Sequence, residues 1–107
     1  MRSLLLAAAL AVAQFGAPVG AMAADLEVVI DQHMFMPAKV TIHPGDKVTW
    51  INKDGDPHSV LSDDRGKTFH SEVLDTGQSF SLTFARTGTF GYYCGVHPYM
   101  QGSVVVQ

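Results

Sequence analysis

Three side chains that can bind a soft metal ion stand close together near the end of the chain. Cys94, His97 and Met100 follow the spacing Cys-x2-His-x2-Met. A further histidine, His58, comes directly after Pro57, well upstream. Two histidines, one cysteine and a weakly bound methionine are the ligand set of a blue-copper electron-transfer site. The pattern therefore predicts one bound copper ion with four ligands: His58, Cys94, His97 and Met100.

Other interpretations of these residues are open when each is taken singly. Cys94 could be a buried apolar thiol, and Met100 could be ordinary core filling. Zinc is disfavoured because methionine is a poor ligand for Zn²⁺. A cysteine nucleophile needs an adjacent base and a substrate pocket, yet protein ligands at every copper position leave no place for a substrate. We therefore expect a one-electron carrier and not an enzyme; the alternative is a copper chaperone or resistance protein.

The start of the chain is typical of a secretory signal peptide. Arg2 precedes an apolar run over residues 4–15, and Ala21-Met22-Ala23 has the small-x-small pattern of a cleavage site. The run is shorter than the roughly 20 residues that a membrane-spanning helix needs. We expect residues 1–23 to be removed on export to the periplasm, no stable membrane insertion, and one domain over residues 24–107.

The net charge and the number of cysteines reduce the classes of function that the chain could have. The 107 residues carry a formal net charge of −3, and without Arg2 six basic groups face ten acidic ones. Nucleic-acid binding is not expected, since it needs a basic patch. Cys94 is the only cysteine, so an internal disulfide is impossible. A single thiol in an exported protein is reactive, bonded to another chain or bound to a metal.

The rest of the chain reads as short strands and turns. Residues 79–84 alternate strictly, which predicts that Phe80, Leu82 and Phe84 face the core. Pro44-Gly45 predicts a turn, since proline presets φ and glycine accepts positive φ. No helical period is sustained, and the fold predicted is an all-β, two-sheet antiparallel sandwich with Greek-key connections. It has about seven strands: 26–31, 39–43, 47–52, one beginning at 58–61, 79–84, 89–94 and 102–106.

The chain resembles the cupredoxins, the family of type 1 blue copper proteins. The likeness is greatest to the amicyanins, whose short ligand loop it has, and plastocyanins and pseudoazurins are more distant relatives. It rests on five segments: 48–52, 57–60, 81–84, 93–100 and 102–106. The resemblance implies a cupredoxin-like fold, with His58, Cys94 and His97 as strong ligands and Met100 as a long axial ligand. It also implies redox partners, such as a dehydrogenase donor (methylamine dehydrogenase) and a c-type cytochrome acceptor.

One hydrogen bond of that family cannot form here. A family side chain that matches Asn52 bonds to the hydroxyl residue after the cysteine, whereas this chain has Gly95 there. We expect Asn52 instead to order the ligand loop through backbone groups, as residues around metal ligands do. The alternative is an ordinary turn residue at a strand end.

The residues flanking the ligands predict a docking surface. Pro57, Val96, Pro98 and Tyr99 are expected to form an apolar patch around one exposed edge of the His97 ring, through which electrons leave. The alternative is a fully buried His97 with a different exit. The carrier is expected to be a monomer.

The remaining histidines carry weaker signals. His33, His43 and His70 are isolated in the sequence and are expected to face solvent. His33 is followed by Met34 and by Met36 two residues later, a soft-ligand group that could hold an accessory copper ion.

Overall fold

The computed structural model describes residues 22–107, which form a β-sandwich without helices. Within this range no helix could span a membrane. Most of the predicted signal peptide lies outside the described residues. Eight strands are present: β1 (Asp25–Asp31), β2 (Met34–Met36), β3 (Lys39–Ile42), β4 (Lys47–Asn52), β5 (Leu61–Ser62), β6 (Ser79–Thr83), β7 (Gly88–Tyr93) and β8 (Gln101–Val106).

The sandwich has two sheets, as predicted, and each sheet has four strands. One has the order β2-β1-β4-β6 and the other β3-β8-β7-β5, so every connection from β2 to β7 crosses between sheets. Both sheets are mixed rather than purely antiparallel, because β1 pairs parallel with β4 and β3 pairs parallel with β8. Between the two strands of each parallel pair the chain crosses to the other sheet and returns, and the second strand then runs in the same direction as the first. This non-local pairing leaves no mark on local periodicity.

Strand positions agree with the alternation of the sequence. In β6, Phe80 and Leu82 are half-buried against the core, and Phe84 just beyond is buried. The strand expected to begin over residues 58–61 starts at the last of these residues: His58 forms a single bridge with Leu74, and β5 covers Leu61–Ser62. The additional strand β2 is only three residues long, too short for alternation to reveal it.

The core lies between the sheets around Trp50, which is fully buried. Its ring meets the edge of Tyr92 at a centroid distance of 5.3 Å, and Tyr92 in turn packs edge-on against Phe35 at 4.8 Å. Aromatic pairs favour such edge-to-face geometry. This packing fixes β4 and β7 relative to one another, and with them the two segments that carry the candidate ligands.

The predicted turn at Pro44-Gly45 is present. Gly45 has φ of 96°, and the Asp46 N–H donates to the His43 carbonyl at 3.0 Å. Proline followed by a residue with positive φ is the arrangement of a type II turn. This turn lies near the end of β3, whereas the candidate ligands follow β4 and β7 at their far ends.

Candidate metal centre

The loop that joins β7 to β8 holds three of the four predicted ligands in a closed turn. The Cys94 N–H donates to the Met100 carbonyl at 3.0 Å, and the Met100 N–H donates to the His97 carbonyl at 2.9 Å. The first bond continues the β7–β8 ladder by one step beyond Tyr93 and Gln101. The two strands therefore hold Cys94 and Met100 side by side, with His97 at the tip between them.

His58 reaches the same site from the loop between β4 and β5. Its backbone exchanges two hydrogen bonds with Leu74, at 3.1 and 2.7 Å. The His58 Nδ1 lies 3.6 Å from the Cys94 Sγ and 3.2 Å from the His97 Nδ1. His58, Cys94 and His97 each have one ligand atom within 4.8 Å of the other two. His58 and Cys94 are fully buried, and Met100 is 3% exposed.

A carboxylate fixes the orientation of the His58 ring. The Nε2 of His58 is 2.9 Å from Asp54 Oδ2, so Nε2–H donates and Nδ1 is left as the free lone pair facing Cys94. This is the usual way in which an outer partner selects the tautomer of a ligating histidine. The His58 ring, helped by the backbone N–H groups of His33 and Gly55, lowers the pKa of Asp54 to about 2. Asp54 therefore accepts from His58 as a carboxylate.

Two hydrogen bonds tie the His58 segment to the Cys94 loop. The Ser59 N–H donates to the Cys94 Sγ at 3.3 Å, and the Ser59 hydroxyl accepts from the Gly95 N–H at 2.9 Å. A Cβ at position 95 would lie 2.8 Å from that hydroxyl and 3.1 Å from Leu61 Cδ1. Glycine at position 95 leaves room for this close approach, and a larger residue would have to displace the ends of these two side chains. Sequence reasoning missed Ser59, because nothing local marks a contact between segments so far apart.

Asn52 is fully buried and orders the loop before His58. Its Nδ2 donates to the carbonyls of Asp56 and Leu74, both at 2.9 Å, and its Oδ1 accepts from the Asp54 N–H at 2.9 Å. All three bonds go to backbone groups. They shape the segment that places Asp54 and His58, whereas the bond to residue 95 comes from Ser59.

The donor set fits copper. It combines one thiol, two imidazoles whose Nδ1 atoms lie 3.2 Å apart, and a buried thioether. Thiolate and thioether are soft ligands that suit copper in both oxidation states, whereas zinc sites take cysteine and histidine without methionine. A buried cysteine without a disulfide partner is accounted for by this use.

Comparison with known proteins gives the family. The sequence-family model for the cupredoxin-like domain matches residues 2–106 of this chain. An amicyanin-alpha of Methylorubrum extorquens is 37% identical over 94% of this chain and 87% of that protein, and a chloroplastic plastocyanin of Tetradesmus obliquus is 36% identical over 94% and 79%. The solved structure of a purple cupredoxin from Nitrosopumilus maritimus has a TM-score of 0.72 at 32% identity, covering 78% of this chain and all of that one.

The chain belongs to the cupredoxin-like family. None of these three names is that of an enzyme, and the alternative of a catalytic cysteine gains no support from them. The four side chains are arranged as a type 1 copper site, and the amicyanin resemblance predicted from the ligand loop is confirmed.

The residues predicted to form the docking patch of this cupredoxin are all exposed. Val96 is 42% and Tyr99 68% exposed, Pro57 and Pro98 are exposed, and His97 is half-buried between them. Val96 and Tyr99 line two different grooves. The first contains Leu61, Arg65 and Val73; the second contains Met34 and Met100.

The sequence predicted that His33 is isolated, whereas the structure places it beside the metal site. Its two ring nitrogens lie 2.7 Å from the Tyr99 hydroxyl and 2.7 Å from the Asp56 carboxylate. Its ring centroid is 4.3 Å from that of His97. An accessory copper site with Met34 and Met36 stays a prediction; the two methionines are 47% and 38% exposed. His43 and His70 are exposed, as expected.

Proposed function

We propose that this cupredoxin is a periplasmic one-electron carrier with a single type 1 copper held by His58, Cys94, His97 and Met100. The observation that carries the proposal is the convergence of His58, Cys94 and His97, each with one ligand atom within 4.8 Å of the other two. Bound copper would supply the Cu(I)/Cu(II) couple. The chain's own groups bind the ion, orient His58 through Asp54, and keep water from the thiolate by burying it.

Rigidity of the site supports a carrier over a chaperone. Cu(II) and Cu(I) prefer different geometries, and a scaffold that holds one arrangement reduces the reorganisation at each electron transfer. Here Ser59 donates to the thiol sulfur and also accepts from Gly95, so both ligand segments are fixed to each other. A chaperone has to release its metal. The two hydrogen bonds that Ser59 makes around the buried Cys94 oppose such a release.

Electron exchange with redox proteins is proposed to occur at the patch of Pro57, Val96, Pro98 and Tyr99. The half-buried His97 lies between these exposed residues and brings a ligand to the surface. A dehydrogenase donor and a c-type cytochrome acceptor are the partner classes that the amicyanin likeness favours. Interfaces of this transient kind are small and have an apolar centre.

Export is proposed from the N-terminal sequence, with cleavage after Ala23. Asp25 is the first residue of β1, so such a cut leaves the first strand intact. The sequence of the N-terminus of the protein recovered from a periplasmic fraction tests this. A mature chain that starts at Met1 and stays in the cytoplasm contradicts it.

Reversible voltammetry of the copper-loaded protein tests the carrier function. We expect a one-electron wave that persists over repeated cycles, with one copper retained per chain in both states. His58→Ala should abolish the wave, and His43→Ala, which removes an exposed histidine at the opposite end of the sandwich, should leave it unchanged. Loss of copper from the wild-type protein at each reduction would contradict a carrier and favour the chaperone.

A further inference from the structure

The turn between β1 and β2 has an unusual backbone for its sequence. Gln32 and His33 have φ of 51° and 56°, both in the left-handed region. Two successive residues with positive φ form the type I′ hairpin turn, which favours asparagine and glycine. Non-glycine residues are disfavoured in this region. Such a backbone persists when surrounding contacts hold it, and those contacts point to a role for the residue.

Three contacts hold His33, and each comes from a loop next to the copper ligands. Its N–H donates to Asp54 Oδ2 at 3.0 Å, the oxygen that also accepts from the ligand His58. Its Nε2 lies 2.7 Å from Asp56 Oδ2, and its Nδ1 lies 2.7 Å from the Tyr99 hydroxyl. Both ring bonds are satisfied together when Nε2–H donates to Asp56 and Nδ1 accepts from Tyr99.

The ring held in this way packs against a ligand. The centroids of His33 and His97 are 4.3 Å apart, with an interplanar angle of 43°. The His33 side chain is 34% exposed, so the two rings meet near the surface of the protein. His97, the half-buried ligand histidine at the tip of the loop, therefore has a fixed neighbour that belongs to neither ligand segment.

We propose that His33 is a positioning residue that restrains the His97 ring in its copper-binding orientation. The proposal rests on the proposed function, in which His97 binds copper through Nδ1. Cu(II) holds an imidazole more firmly than Cu(I), so the restraint matters most in the reduced state. Without it, arrangements with His97 turned away become accessible to Cu(I). These stabilise the reduced state and raise the reduction potential.

Two variants at position 33 separate the ring from its hydrogen bonds. His33→Asn removes the ring and places at this φ the residue that tolerates it best after glycine. His33→Phe keeps an aromatic ring and removes the bonds to Asp56 and Tyr99. Gln32→Asn is the matched control, because it changes the neighbouring residue of the same turn without touching a ligand.

The reduction potential at neutral pH and the rate of Cu(I) release to a chelator are measured for each variant. For His33→Asn we expect a higher potential and release faster on the order of tenfold, as for loss of an outer partner of a metal ligand. His33→Phe should lie between His33→Asn and wild type, and Gln32→Asn should equal wild type. If His33→Asn does not fold, Asp56→Asn and Tyr99→Phe each remove one anchor and should shift both quantities in the same direction.

The outcomes distinguish this inference from the proposed function. A wild-type protein that binds no copper overturns the proposed function itself. A wild-type protein that cycles normally, while His33→Asn matches Gln32→Asn in potential and in release rate, overturns the role of His33 alone. If His33→Asn does not fold, an unchanged potential and an unchanged release rate in both Asp56→Asn and Tyr99→Phe overturn the role of His33.

Discussion

Met100 is buried beside Cys94, and at the residue scale it is the ligand whose replacement changes the site most selectively. Met100→Gln substitutes a harder oxygen ligand for the thioether, and such an oxygen stabilises Cu(II) over Cu(I). Copper should stay bound and the reduction potential should fall. Voltammetry measures this, with Met36→Gln as a control because Met36 is 38% exposed and lies outside the groove that contains Met100. A raised or unchanged potential would mean that Met100 is not the axial ligand.

Ser59 is 4% exposed, and its hydroxyl accepts from the Gly95 N–H. Ser59→Ala removes that hydrogen bond, and a bond of this kind contributes about 0.5–1.5 kcal/mol to the unfolding free energy. Urea unfolding of the metal-free protein measures the loss, and the exposed Ser79→Ala serves as the control. Equal stability of the two variants would show that the tie between the ligand segments is not a stabilising contact.

The metal ligands could be predicted because three of them follow one another at short, characteristic intervals in the sequence. Cys94, His97 and Met100 lie within seven residues, and only His58 had to be brought from elsewhere. Ser59 and His33 could not be predicted in the same way. The role of Ser59 depends on the pairing of β5 with β7, which brings the start of one strand beside the end of the other, and that of His33 depends on two left-handed residues in the turn between β1 and β2. Both are contacts of the folded chain.

At the scale of elements, alternation placed most strands within a residue or two, since the inward face of each strand has to be apolar. Phe80, Leu82 and Phe84 show this directly. Strand direction was not predictable, because the parallel pairs β1–β4 and β3–β8 are decided by crossings between sheets. β2 was missed because three residues give no period.

Carboxylates that hold turns make the fold sensitive to acid. Asp64 accepts from the hydroxyls of Ser62 and Thr68 and from the N–H groups of Lys67 and Thr68, and these bonds hold its pKa well below the usual range. The pKa of Asp46 is lowered too, chiefly by the Ala24 and His43 N–H groups. A carboxyl group with a lowered folded-state pKa stabilises the fold above its unfolded pKa, near 3.9, and loses this contribution as pH falls toward the folded value.

We therefore expect the unfolding free energy to be steady above about pH 5 and to fall progressively below pH 4. Asp64→Asn should be less stable at neutral pH and should lose less on acidification than wild type. Urea unfolding at a series of pH values measures both, with the exposed Asp75→Asn as the control. An acid response of Asp64→Asn identical to that of wild type would contradict a role for this carboxylate.

At the scale of the whole molecule, the copper ligands and the docking patch lie at one end of the sandwich. Gly88 and Val106 pair at the opposite end of the β7–β8 ladder. Electron exchange should therefore be confined to one end. Val96→Asp places a like charge on both copies at the patch and should slow electron self-exchange on the order of tenfold at low ionic strength. NMR line broadening in mixed oxidised and reduced samples measures the rate.

Thr87→Asp adds the same charge next to Gly88 at the opposite end and is the matched control. It should leave self-exchange near the wild-type rate, and neither variant should alter the potential greatly. Equal slowing by the two variants would mean that net charge, rather than the patch, governs the encounter.

The most direct test of the account is the visible absorption of the purified protein with Cu(II), compared with that of Cys94→Ser. A bond between copper and the Cys94 thiolate gives intense blue absorption. We predict a blue wild-type protein with one copper per chain, and a Cys94→Ser variant that keeps the β-sheet circular dichroism and has lost the colour. A wild-type protein that binds copper tightly but is colourless, or a Cys94→Ser variant that stays blue, would contradict the account.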